Sequence, residues 1–201
     1  MVNRFRAYLL TFSGMTLLYT LRAGYSFAKP YIMRQYHISN LFISIVDAFQ
    51  FVGLGVAFIV KYKLFSNGYS IGEFKTNGLL MCLFYLLMPI IPLIYGNPAG
   101  FYSLLLVSSG LFGFLQFCFQ PTLSQEMKKY YNNDEDEFMY SCWDSGKHLG
   151  RVLGFLLMSI QMLNLHFSWE TGIIVLIGCM MLDIGMIYYY CDIKEPPSIR
   201  E

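Results

Sequence analysis

Asp144, Lys147, His148 and Arg151 stand at i, i+3, i+4 and i+7, so on a helix all four share one face. They lie in an otherwise apolar stretch, and lipid cannot accept such a face. It must look into a polar cavity or pair with other helices. Lys147 and Arg151 are like charges at i, i+4, which repel unless an acid or a bound anion lies between them. Another cation in apolar surroundings is Arg22, sixteen residues after Arg6, or about 24 Å along a helix. Its planar guanidinium suits two-point binding of phosphate or carboxylate. Tyr19, Gln116 and Tyr140 are polar groups able to line the same cavity. Two readings stand side by side. In one, these cations bind a small anionic solute. In the other, Arg22, Lys147 and Arg151 are matched in number by Asp47, Asp144 and Asp183 in a closed internal network, for example Arg22 with Asp47.

Gly146, Gly150 and Gly154 form a small-residue stripe at four-residue spacing, lying beside the polar face rather than on it. Small residues let helix backbones approach closely in a membrane, so this side is expected to pack and its neighbour to make polar contacts. Asp183, alone in its apolar segment, is expected to make a structural pairing. The five cysteines are odd in number and have no C-x-x-C spacing, and most sit in apolar runs where Cys acts as a small hydrophobe. No nucleophile–base pairing and no metal-ligand spacing stands out. Neither an enzyme, a metal site nor a cofactor is expected.

The elements that position these residues follow from hydropathy. Of 201 residues, 56% are hydrophobic and only 13% charged, far below the quarter or so found in soluble domains. Six segments approach the length of about 20 apolar residues that spans a bilayer: 7–31, 41–60, 77–96, 101–124, 138–163 and 171–191. Apolar character continues beyond Arg22 to Tyr31, which favours a retained first helix over a signal peptide. With a cytoplasmic N-terminus, nine Lys and Arg lie on the inner side and only Lys29 and Arg34 on the outer. An even helix number returns the C-terminus to the cytoplasm. Pro30 is expected to close the first helix, with Pro89, Pro92 and Pro121 marking bends that face protein. The acidic run Asp134-Glu135-Asp136-Glu137 reads as a solvated loop, and His37 and His166 fall in outer loops. A net charge of +1 with no basic tract points away from nucleic acid. The chain is thus expected to be an all-α, multi-pass membrane protein, a six-helix bundle over residues 1–201, with the lipid bilayer as its first partner.

Several strings add a resemblance. Tyr19-Thr20-Leu21-Arg22, continuing through Tyr25-Ser26-Phe27 to Pro30, resembles the first helix of the organophosphate:phosphate antiporters of the major facilitator superfamily, the glycerol-3-phosphate and glucose-6-phosphate carriers. Gln116 with Pro121 resembles their fourth helix, and Trp143-Asp144-Ser145-Gly146-Lys147-His148-Leu149-Gly150 their fifth. Trp169 and Asp192-Ile193-Lys194-Glu195-Pro196 resemble the two ends of their sixth. The resemblance spans nearly the whole chain and implies the N-terminal half of a major facilitator fold. It also implies exchange of a phosphate ester or sugar phosphate for phosphate by alternating access. In that family Arg22 would be the phosphate-binding arginine, Tyr19 would line the cavity, and Lys147 would stand where a substrate-contacting His is usual. The chain departs from the family at three places. The loop pattern after the second helix is degraded over 61–75, an apolar stretch near Val56 replaces a cavity lysine, and Arg151 replaces a glycine. The resemblance covers one six-helix half, so a second half is expected, whether in a longer chain, a second copy or another protein. The alternative from a different class is a non-transporting six-helix membrane protein whose glycine stripe docks a partner. A channel is a third possibility.

Overall fold

Helices make up the described part of the chain, as lipid requires of a spanning segment that must satisfy its own backbone groups. The computed structural model describes residues 4–64, 78–83, 85–87, 98–130, 137–164 and 168–192. The helices are α1 (Arg4–Tyr36), α2 (Asn40–Leu64), a short apolar α3 (Gly78–Leu87), α4 (Pro98–Tyr130), α5 (Glu137–Asp144), α6 (Gly146–Ser159) and α7 (Trp169–Asp192). A π-helical turn, Ile160–Asn164, extends α6. The result is an all-α membrane bundle. Pro89, Pro92, Asp134-Glu135-Asp136, His166 and the stretches 65–77 and 193–201 lie outside the described residues.

Three spans are long and apolar enough to cross a bilayer by length and composition: Asn40–Val60, Tyr102–Pro121 and Trp169–Ile187. α1 and the fifth helix fall outside that criterion, and they carry Arg22, Lys147 and Arg151. α1, 33 residues long, reaches about 50 Å, well beyond a hydrocarbon core of about 30 Å.

Pro30 does not close the first helix. It sits inside α1, exposed at the surface, where it removes one donor from the ladder without turning the chain. The stop comes at His37, whose φ of 52° is left-handed, with the Ile38 N–H donating to the Met33 carbonyl at 3.0 Å. That pairing of the second residue beyond the helix with its last turn is a Schellman closure. Ser39 then caps α2, its Oγ accepting from the Phe42 N–H at 3.2 Å. The fifth helix also differs from a single run over 138–163. It tightens at Ser145, whose carbonyl accepts from the His148 N–H at 2.9 Å and the Leu149 N–H at 3.1 Å.

Lipid tails are as apolar as leucine, so close packing rather than hydrophobic burial joins membrane helices. Two pairs, α1 with α6 and α2 with α4, are in the most extensive contact. A methyl group added at Gly150 would lie 2.3 Å from the Thr16 carbonyl oxygen, and one at Gly154 would lie 2.3 Å from that of Thr20. Gly146 faces Phe12 and Thr16, so the contact rises in parallel along both helices. The second pair repeats the device. A methyl at Gly53 would meet the Gly110 carbonyl oxygen at 1.9 Å, and one at Gly113 would meet that of Gln50 at 2.0 Å. Ser109 adds a hydrogen bond of 2.5 Å to the Val46 carbonyl. α1 also packs along α7, where Ser13 donates to Asp183 Oδ1 at 2.5 Å. At the other end of the same contact the Trp169 indole N–H donates to Gln35 Oε1 at 2.9 Å.

Candidate functional site

The polar residues of the two pairs converge on one side of the bundle. A cavity of about 410 Å³ opens toward the end of the bundle at which α1 begins, within the usual range for small-molecule sites. Asp144 and Lys147 line it from the fifth helix, with Gln120, Pro121 and Ser124 from α4, and Tyr140 and Trp143 from α5. Lys147 pairs with Asp144 one turn away, an ion pair that the tightening at Ser145 accommodates. Ser124 Oγ and the Tyr140 hydroxyl lie 3.0 Å apart, and the buried Trp143 indole N–H donates to Thr11 Oγ1 at 3.1 Å, fixing this wall onto α1.

Tyr19 joins the cavity to the next level. Its hydroxyl donates to Gln120 Oε1 at 3.4 Å, and its ring carries the Arg151 guanidinium 5.3 Å from the centroid. That spacing is within cation–π range. Arg22, one turn further along α1, lies 6.0 Å from the centre of the Phe51 ring on α2. Gln50 Nε2 donates to Gln116 Oε1 at 3.4 Å across α2 and α4. Beyond them Lys29 Nζ donates to both oxygens of Asp47, at 2.6 and 2.7 Å.

The sequence-derived residues therefore divide. Asp144 and Lys147 face the cavity, and Tyr19, Arg151 and Arg22 stand on the same polar side above it. His148 does not join them: it is exposed and absent from the cavity wall, since it lies further round the helix than Lys147 and Arg151. Gln116 is buried against Gln50 rather than lining the cavity, whereas Gln120 and Ser124, four and eight residues later, do line it. Their four-residue spacing marks one helical face and was readable in the sequence. Gly146, Gly150 and Gly154 lie against α1.

The charges pair differently from the simplest closed network. Asp47 is taken by Lys29 and not by Arg22, Asp144 by Lys147, and Asp183 accepts from Ser13. Arg22 and Arg151 have no ion-pair partner among the described residues. Among those residues no group of His, Cys, Asp and Glu is placed to hold a metal ion.

Neither a curated protein nor a solved structure matches the chain. The family model of the Major Facilitator Superfamily matches residues 11–201, and so, with its polar-faced helical bundle, the chain belongs to that superfamily.

Proposed function

We propose that this chain forms one half of a carrier that moves a small anionic solute across a membrane by alternating access. A phosphate ester or sugar phosphate exchanged for phosphate is the substrate class, and a second six-helix unit or a second copy completes the carrier. Superfamily membership supports membrane transport in general. Carriers of this architecture bind near the bilayer midplane between two repeat-related halves, which rock about the site. The observation that carries the anionic reading is the pair Arg22 and Arg151. Both stand on the polar side, and both lack a carboxylate among the described residues. A guanidinium at membrane depth is costly without a counter-charge, and a bound anion would supply it. Lys147, already paired with Asp144, serves as the next cationic contact toward the cytoplasmic end.

The rival, a non-transporting protein whose glycine stripe docks a partner, loses its docking surface. The three glycines lie within contact distance of the chain's own α1.

The test is exchange of labelled phosphate by the full chain in liposomes, with its partner half where one co-purifies. Arg22→Ala is expected to lower exchange at least tenfold, as loss of a charge-assisted contact should, while Arg22→Lys retains part of it. Robust exchange by Arg22→Ala would remove Arg22 from the site. A steady conductance in place of saturable exchange would identify a channel.

A further inference from the structure

Lys29 lies seven residues after Arg22, which returns it to the same face of α1 and places it about 10 Å nearer the outer end. Ser26, exposed on that face, stands between them. The Lys29 ammonium is held by both oxygens of Asp47, at 2.6 and 2.7 Å, and lies 5.4 Å from the centre of the Tyr25 ring. The pair is open to its surroundings, with 19% of the lysine side chain and 36% of the aspartate side chain exposed.

A tie between helices is a poor explanation for this pair. α2 is locked to α4 through Gly53 and Gly113, and α1 to α6 through Gly150 and Gly154, while α1 and α2 touch each other little. The pair is only part-buried, and ion pairs that stay open to their surroundings add little to holding two helices together. What the carboxylate does is present two oxygens to a cation, as an anionic solute would. We propose that Lys29 is a further anion contact toward the outer end of the polar side. Asp47 is its built-in competitor, covering the ammonium when no solute is bound and releasing it to an arriving anion. This rests on the carrier reading above. It adds to that reading an outer contact whose carboxylate comes from a second helix, whereas Lys147 at the inner cavity is covered by Asp144 of its own helix.

The measurement is the half-saturating concentration of labelled inorganic phosphate, taken separately from each face of oriented liposomes holding the full chain and any co-purifying half. Asp47→Asn uncovers the ammonium and is expected to lower the outer value about fivefold, the factor a weak, part-buried pair can supply. Lys29→Gln is expected to raise the outer value and leave the inner one unchanged. The double exchange Lys29→Asp with Asp47→Lys restores an ion pair but moves the cation to α2, and it should stay weak. Should Asp47→Asn and Lys29→Gln impair uptake alike, with the double exchange rescuing both, the pair is only a tie and the proposal is overturned. Asp47→Asn decides the question even if Lys29→Gln fails to fold, because a gain in outer affinity cannot come from lost structure. Unmodified protein that takes up no phosphate overturns the carrier reading itself. Normal uptake with an unimproved Asp47→Asn overturns only the role of Lys29.

Discussion

Among the ionisable residues at membrane depth, counting alone does not predict pairing. Arg22, Lys147 and Arg151 equal Asp47, Asp144 and Asp183 in number, but Lys29 enters from the outer end of α1 and takes Asp47. Asp183, 1% exposed, accepts from Ser13 rather than from a cation, and its Oδ2 has no hydrogen-bond partner. The cations are left in excess on the polar side, which is the arrangement an anion carrier needs. Tyr19 shows how finely one residue serves this arrangement. Its ring supports Arg151, and its hydroxyl reaches Gln120 only at 3.4 Å, a weak bond. Tyr19→Phe keeps the ring, so phosphate exchange in liposomes is expected to change by less than about threefold, the worth of a weak hydrogen bond. Tyr19→Leu removes the surface on which the exposed guanidinium rests and is expected to cost about fivefold, the upper range for an exposed cation–π contact. Equal losses in the two variants would mean that the hydroxyl, not the ring, matters.

The elements succeed or fail by how closely their backbones meet. Gly150 faces backbone, the Thr16 carbonyl oxygen, so its neighbour cannot swing aside as a flexible side chain would. Gly178 on α7 has no atom within 4 Å of the same position. Gly150→Ala is therefore expected to destabilise the bundle by roughly 1–3 kcal/mol, the usual cost of overpacking, and to lower the melting temperature of the purified protein. Gly178→Ala should leave it unchanged or slightly raised, since alanine favours the helix. A Gly150→Ala protein as stable as its parent would show that α1 and α6 can separate freely. The glycine stripe of the fifth helix was legible because its spacing is regular and its chemistry is simple. Gly53 and Gly113 were not read as its counterpart, because Gly53 and Gly55 on α2, and Gly110 and Gly113 on α4, repeat at no four-residue spacing. Pro30 was misread for a related reason. Proline ends helices in water, but within a spanning helix a single lost donor does not outweigh continuation, and the stop waits for the left-handed His37. The break at Ser145 rests on local geometry that no residue type there announces.

At the scale of the whole molecule, exposure has two meanings, because a membrane surrounds most of the surface. Val52, Val152 and Leu182 are large, apolar and exposed, which in water would be a liability and in lipid is the ordinary condition. Under the carrier reading, the polar side that holds Gln120, Lys147 and Arg22 is the part of the described surface that would meet water. The distinction can be measured on cysteines. Cys179 is exposed on α7, an apolar span, whereas Gln120 lines the polar cavity. In membranes holding a protein whose other cysteines are replaced, a charged thiol reagent is expected to modify a Gln120→Cys variant quickly and Cys179 barely at all. Only ionised thiols react, and thiols rarely ionise in hydrocarbon. Phosphate should slow the reaction at position 120 if an anion occupies the cavity beside Lys147. Fast modification of Cys179, with position 120 inert, would reverse the assignment of inside and outside for the entire bundle. The helices would remain as described, but the polar side would then be a packed seam and the outer apolar faces would border water. The all-α, membrane character of the chain and the polar face of its fifth helix were legible in the sequence. Which faces meet water follows from how α1 brings the fifth helix and α4 to the same side, and that is a property of the packing alone.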